Sequence, residues 1–228
     1  MSNRPCVVLT GGSAGIGLSI VQALSDYAHL VVISRTSPPT TLNGGAWIKG
    51  DLHEPEKVAD EVITYLRSQK EPLVGFIHCA ASYGANQRHG FLETTAREWH
   101  EVMAVNVTSQ FVLTHRLLPL LLAGHRSFIV SISSNTATEP APGRIAYGCS
   151  KAASHALFSG LAAEYADSPL SVVQVLPDRQ VVTRGLKRRR PEGFDFSSYI
   201  RPEVFQEPIR EIVLTRGQGR NGQSLILH

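Results

Sequence analysis

The stretch CVVLTGGSAGIGLSIVQALSDY, Cys6 to Tyr27, decides the fold. CVVLT is a short apolar run rich in β-branched residues, which predicts a buried strand. GGSAGIG, Gly11 to Gly17, follows, and LSIVQALSDY then reads as a helix. Strand, glycine turn and helix N-terminus in that order form a phosphate site. Glycines let the backbone approach a pyrophosphate, and the first helical turn offers free N–H groups at the positive end of its dipole. The glycines at 11, 15 and 17 give the spacing TGxxxGxG rather than GxGxxG. A plain glycine-rich turn is the competing reading, and the flanking strand and helix weigh against it.

Outward from this unit, Leu30 to Ser34 is a second strand and Arg35 follows it directly. In a doubly wound fold the adenosine ribose lies here. An acidic residue would bind the free 2′-hydroxyl of NAD, whereas an arginine accommodates the 2′-phosphate of NADP. SRTSPP, Ser34 to Pro39, has no carboxylate, so Arg35 points to NADP(H). Ser13, Ser34 and Thr36 can add neutral hydrogen bonds to the same phosphate. The bland alternative for Arg35 is a solvated loop arginine.

Ala46 to Lys49 is a weak third strand, ended by Asp51. Glu54 to Ser68 is a helix, with Pro55 near its first position and Val58, Val62, Ile63 and Leu66 on one face. Leu73 to His78 is a fourth strand; the small residues Cys79, Ala80 and Ala81 after it leave room for a cofactor. Trp99 to Leu122 reads as one long helix with Asn106 in its middle. Asparagine is a mediocre helix former, and alone Asn106 says little. Ser127 to Ser133 is a fifth strand, followed by Ser134 and a loop with Pro140, Pro142 and Gly143. A helix over 146–165, a strand over Leu170 to Leu176, a helix over Val204 to Arg216 and a short strand over Ser224 to Leu227 complete the chain. Alternating strands and helices predict an α/β fold with a doubly wound parallel sheet, one domain over 1–228. Right-handed crossovers put every strand C-terminus on one edge, where ligands bind. The glycine turn, Arg35, Cys79 to Ala81, Ser134 and Pro177 all follow strand ends and converge on one crevice.

The helix at 146–165 opens with AYGCSK, in which Tyr147 and Lys151 lie four residues apart on one face. An ammonium beside a phenol favours the phenolate and is expected to bring the tyrosine down from ~10 towards neutrality. Such a tyrosine exchanges a proton near pH 7. The bland alternative is a surface helix pair.

The 228 residues, 43% hydrophobic and 18% charged, suit one globular domain. A net charge of +3 is too small to make nucleic acid or a membrane the main partner. The nine histidines lack HExxH-type spacing, so no metal site is expected. Cys6, Cys79 and Cys149 are odd in number and scattered, which suits a reducing, cytoplasmic compartment. No apolar run approaches ~18 residues, and the chain opens almost directly on a strand, leaving no room for a targeting segment. From Pro177 to Phe205 the pattern loosens, and 178–205 is expected to be a mobile flap over the substrate. It holds KRRR, Lys187 to Arg190, expected to be a solvated face, and Phe194, Phe196 and Tyr199. Apolar residues beyond one core-facing stripe, among them Phe111, Leu117, Leu118, Leu121, Leu157 and Ala162, suggest a homodimer or homotetramer.

Taken together, these residues resemble the short-chain dehydrogenase/reductase family over nearly the whole chain. The matches are TGGSAGIG at 10–17, Asp51 after strand three, Asn106, Ser134 and YGCSK at 147–151, with Ser134 thirteen residues before Tyr147. AYGCSKAA looks like the small sepiapterin- and benzil-reductase-type enzymes. The resemblance implies a Rossmann fold and NADP(H)-dependent reduction of a small-molecule ketone, diketone or aldehyde. Tyr147 would be the general acid, and the base in reverse. Lys151 would lower its pKa and hold the nicotinamide ribose. Ser134 would bond the substrate oxygen where charge develops, and Asn106 would position a water linking Lys151 to solvent. Cofactor contacts would come from Gly11, Ser13, Gly15, Ile16, Gly17, Ser34, Arg35, Thr36, Asp51, Leu52, Cys79, Ala80, Ala81, Tyr147, Lys151, Pro177 and Thr183. The chain also departs from the family. Cys79-Ala80-Ala81 replaces Asn-Ala-Gly, Pro177-Asp178 replaces Pro-Gly, Thr183 lies one residue late, and Ala14 replaces a basic residue. Asp178 would put a carboxylate where backbone should approach the nicotinamide. It supports a second reading, a catalytically idle dinucleotide-binding sensor or interaction protein; retention of Ser134, Tyr147 and Lys151 argues against that.

Overall fold

The computed structural model describes residues 4–84, 88–124, 126–139 and 141–228; Pro140 of the predicted loop lies outside them. Seven strands form one parallel sheet in the order β3-β2-β1-β4-β5-β6-β7. They are β1 (Cys6–Thr10), β2 (His29–Ser34), β3 (Ala46–Lys49), β4 (Leu73–His78), β5 (Ser127–Ile132), β6 (Leu170–Pro177) and β7 (Ser224–Leu227). The strand order reverses between β1 and β4, and that switch point opens a crevice at their C-terminal ends.

The helices are α1 (Gly15–Leu24), α2 (Pro55–Gln69), α3 (Ala96–Met103), α4 (Ser109–Leu122), α5 (Ile145–Glu164), α6 (Arg184–Lys187) and α7 (Gln206–Thr215). β1, β2, β4 and β5 are buried at every position, as continuous apolar strands covered on both faces should be. Ile20 and Leu24 of α1 pack with Ile209 and Ile212 of α7 on one face. Val62 of α2, Leu113 and Leu117 of α4 and Phe158 of α5 cover the other. A fully buried side chain of this kind contributes about 1.5–3 kcal/mol, so the sheet rather than the loops sets the frame of the site. Of the residues that suggested self-association, Leu117, Leu121 and Ala162 face this chain's own core, whereas Phe111 is 54% exposed.

Three predicted elements change. The long helix at 99–122 is two helices, α3 and α4, joined by a π-helical turn over Ala104–Thr108. Such a turn fits one extra residue into the helical path and redirects a side chain, here that of Asn106. β5 stops at Ile132; Ser133 N still donates to Val175 O of β6 (2.9 Å), and Ser134 lies beyond the sheet. The segment 178–205 has structure of its own. Val182 N donates to Ile200 O (2.8 Å) and Ile200 N to Gln180 O (3.1 Å), tying its two ends together. Phe194, Phe196 and Tyr199 pack edge to face within it. The basic run is only half a solvated face. Lys187 and Arg188 are exposed, but Arg189 and Arg190 are half-buried, and Arg190 lies 5.1 Å from the Phe194 ring centroid. A guanidinium on an aromatic face gains attraction that competes with hydration.

Candidate active site

A cavity of about 490 Å³ lies at the C-terminal ends of β1, β2 and β4. Gly11, Ser13, Gly15, Ile16, Gly17, Ser34, Arg35, Thr36, Asp51, Leu52, Cys79, Ala80, Ala81 and Thr183 all line it. Two glycines are required sterically. Gly11 has φ +82°, and a Cβ there would sit 2.7 Å from Ala80 Cα; at Gly17 a Cβ would sit 2.2 Å from Gly11 O. Thr10 Oγ1 accepts from Cys79 N and Ala80 N, both at 3.2 Å, and holds the ends of β1 and β4 together. α1 begins with no acidic residue in its first turn and no side-chain cap from Ala14. Its first N–H groups are therefore left for an anion, and this cradle fits the pyrophosphate of a dinucleotide. Arg35 is exposed at the rim. Asp51 faces His53, whose ring Nδ1 is 2.8 Å from its Oδ1. Hydrogen bonds from the His53 backbone and side chain hold that carboxyl below its usual range, with a smaller effect from Arg35.

The residues expected to be catalytic, Asn106, Ser134, Tyr147 and Lys151, lie beyond this cavity. Ser134 follows β5, and its Oγ accepts from Thr136 N (3.3 Å) and Thr136 Oγ1 (2.9 Å). Tyr147 sits in the first turn of α5, 8% exposed, with its ring stacked on Tyr83 and Ser134 near its phenol. Lys151, one turn on, donates Nζ to Ile132 O (2.9 Å). Asn106 is fully buried. Its Oδ1 accepts from Ser82 N (2.7 Å), and its Nδ2 donates to Ser82 O (2.7 Å) and Ser150 Oγ (2.9 Å). The redirected amide thus fastens the turn after β4 to α5, an informative role that its helix propensity did not suggest.

Three expectations are corrected. Lys151 does not bring Tyr147 down: burial, with Tyr83 adding to it, holds the phenol well above its usual 10. The Lys151 ammonium is 5.8 Å from the Tyr147 ring centroid and engages Ile132 O instead. Burial lowers Lys151 itself from 10.5 to about 8, with Cys79 opposing. Asp178 does not enter the crevice. Its carboxylate turns to His228 Nδ1 (2.9 Å) and Arg179 Nε (3.3 Å), while its N–H donates to Leu227 O (2.9 Å). Pro177 ends β6 as a buried residue and is not part of the cavity wall. Thr183 is on that wall, and its Oγ1 also accepts from Leu186 N (3.1 Å) at the start of α6.

Tyr83 and Ser82, unmarked in the sequence, also line the cavity. Tyr83 stacks on Tyr147, and Arg189 lies over the Tyr83 ring at 4.7 Å from its centroid. Burial pushes the Cys79 thiol up to about 12, against a smaller lowering by Lys151, which keeps it protonated at neutral pH. Among the described residues no helix is long and apolar enough to cross a membrane.

A family model described as short chain dehydrogenase matches residues 5–190. The chain is 32% identical over 189 residues to 2-(S)-hydroxypropyl-CoM dehydrogenase 3 of Xanthobacter autotrophicus, covering 78% of this chain and 73% of that protein. It is 31% identical over 198 residues to galactitol 2-dehydrogenase (L-tagatose-forming) of Cereibacter sphaeroides, covering 83% and 77%. Among solved structures, ElxO with NADP bound superposes with a TM-score of 0.86 at 20% identity, covering 98% of this chain and 97% of that one. 4-Hydroxyisoleucine dehydrogenase complexed with NADH superposes with a TM-score of 0.81 at 19% identity, covering 98% and 96%. The fold is shared with structures that hold either dinucleotide.

Proposed function

The chain belongs to the short-chain dehydrogenase/reductase family, whose members are oxidoreductases that use a nicotinamide dinucleotide, and from that premise we propose that it is an NADP(H)-dependent reductase of a ketone, diketone or aldehyde. When bound, the dinucleotide supplies the hydride. The glycine turn and the N-terminus of α1 hold its pyrophosphate, and Arg35 takes the adenosine 2′-phosphate. Ser134 Oγ accepts twice from Thr136 and donates to Asn135 Oδ1 over a long 3.4 Å; exchanging that one weak bond turns its proton to the substrate oxygen as charge develops there. Tyr147 gives that oxygen a proton in reduction and takes one back in oxidation. A phenol held above its usual pKa stays protonated at neutral pH, which suits the reductive direction. Lys151 orients the ribose beside Tyr147.

The observation that carries this reading is Ser134, just after β5, brought close to the buried phenol of Tyr147 in the first turn of α5, beside a crevice whose glycine turn admits only backbone. The idle-sensor reading loses its main support, because Asp178 is engaged by His228 and Arg179 rather than directed at the cofactor. The test is NADPH consumption against diketones, quinones and aldehydes, with NADPH binding followed by fluorescence on the same samples. Turnover of a carbonyl that Tyr147→Phe abolishes is the expected result. Tight NADPH binding with no carbonyl consumed would return the sensor reading.

A further inference from the structure

Tyr83 takes no part in the proposed proton and hydride transfer, yet it stands where a substrate must pass. It lines the cavity that fits the dinucleotide, and its ring stacks on that of Tyr147, the proposed proton donor. Tyr83 is 37% exposed, whereas Tyr147 is 8% exposed. A molecule arriving from solvent therefore meets Tyr83 first. The four residues before it, Cys79, Ala80, Ala81 and Ser82, are all small, so Tyr83 supplies the bulk that the turn after β4 brings to the reacting end.

The ring is held in place rather than free to swing. Ser82 is clamped at both backbone groups: its N–H donates to Asn106 Oδ1 and its carbonyl accepts from Asn106 Nδ2, each at 2.7 Å. Tyr83 O accepts from Arg144 Nη1 at 3.0 Å. Gly84 follows with φ +74°, a conformation that residues with a Cβ rarely adopt. With the backbone fixed on both sides, only two side-chain torsions are left to move the ring. The stack on Tyr147, with centroids 4.6 Å apart, restrains them. So does the Arg189 guanidinium, whose carbon lies 4.7 Å from the Tyr83 centroid. Both contacts depend on where the ring lies, and turning it aside breaks the two together.

We infer that Tyr83 is a specificity-determining residue that limits the size of the substrate. The carbonyl that reaches Tyr147 and Ser134 carries short aliphatic substituents, and the Tyr83 ring excludes an aryl group beside the reacting carbon. The inference rests on the reductase reading and names its substrate class; the test separates the two. The probes are two 1,2-diketones with the same reacting group, butane-2,3-dione and benzil, each with NADPH. The wild type should favour butane-2,3-dione. Tyr83→Ala should move the ratio of kcat/KM towards benzil by about tenfold or more, because a pocket discriminates between substrates by what its walls admit in the transition state. Tyr83→Phe, which keeps the ring, should hold the wild-type ratio. A wild type that favours benzil, or a ratio that Tyr83→Ala leaves unchanged, overturns the inference. Thermal unfolding reports that each variant is folded; should Tyr83→Ala fail to fold, Tyr83→Leu is read by the same ratio. If neither diketone is consumed by any of these proteins, the reductase reading is what fails. The wall is then judged by nitration of Tyr147 with tetranitromethane, located by peptide mass spectrometry. Tyr83→Ala and Tyr83→Phe both lose the Tyr83 hydroxyl, so their comparison isolates the ring. Faster nitration in Tyr83→Ala sustains the wall, and equal rates overturn it.

Discussion

Tyr83 and Tyr147 stack with ring centroids 4.6 Å apart and planes inclined by 22°. One comes from the turn after β4 and the other from the first turn of α5, so the contact closes the crevice between two elements that the sheet alone does not join. It also buries the phenol of Tyr147. The site therefore controls Tyr147 by enclosure first and by neighbouring groups second.

Substitution of Tyr83 should move the pH dependence of the reaction. Alcohol oxidation needs Tyr147 ionised, so its rate climbs as pH passes through the phenol's pKa. After burial, the Tyr83 hydroxyl beside the phenol is what raises that pKa. Tyr83→Phe removes that hydroxyl while keeping the ring, and the profile of kcat/KM for oxidation should shift to lower pH. A profile that stays in place or moves upward would separate Tyr83 from the titration of Tyr147.

Tyr147→Phe should abolish turnover and leave dinucleotide binding nearly intact. The substitution keeps the ring and its stack on Tyr83 but removes the proton. Loss of general acid catalysis costs about 10²–10⁴-fold in kcat. Steady-state kinetics and NADPH titration on one preparation check both halves; a variant keeping over half of wild-type kcat would remove Tyr147 from the mechanism.

The parts of this site that the sequence displays are those made by neighbours in the chain. CVVLT followed by GGSAGIG is strand, turn and helix start within a dozen residues, and its role follows from local geometry. Arg35 is legible for the same reason, since it directly follows β2. Contacts across the chain are not periodic and leave no mark. Tyr83 meets Tyr147 and Arg189 only once the sheet has brought the turn after β4, α5 and the segment after β6 together. Asp178 stands where the family pattern has glycine, and His228, fifty residues on, engages its carboxylate together with the adjacent Arg179. The four-residue spacing of Tyr147 and Lys151 puts them on one face but misses the burial that raises the phenol. Spacing reports a neighbouring charge, whereas burial depends on everything packed above the pair.

Arg35→Ala should reduce the preference for NADPH over NADH. Arg35 is exposed at the crevice rim, and no acidic residue lies within SRTSPP to bind a free 2′-hydroxyl. A charged hydrogen bond to a phosphate contributes roughly 1.5–3 kcal/mol, on the order of ten- to a hundredfold in affinity. Ala14 supplies no second cation, which places the preference at the lower end. The ratio of kcat/KM with the two cofactors, measured for wild type and variant, is the check. Equal use of NADH by the wild type would show that Arg35 does not select the cofactor.

Lys151→Met should stabilise the protein at pH 7 while removing activity. The unfolded chain holds the Lys151 proton up to about pH 10.5, whereas the folded chain releases it at about 8, because burial disfavours the ammonium. Between those values the unfolded state binds more protons, so stability rises with pH across that window. Below pH 8 the whole penalty is present, on the order of 3 kcal/mol. Methionine fills similar space without the charge. Its advantage should therefore be full at pH 7, at about 2–4 °C in Tm per kcal/mol for a chain of this size. It should shrink as pH rises from 8 towards 10.5, because the wild type recovers there. Thermal unfolding of both proteins across that range is the measurement. A variant less stable than wild type at pH 7 would mean that the Lys151–Ile132 hydrogen bond outweighs the cost of burying the cation.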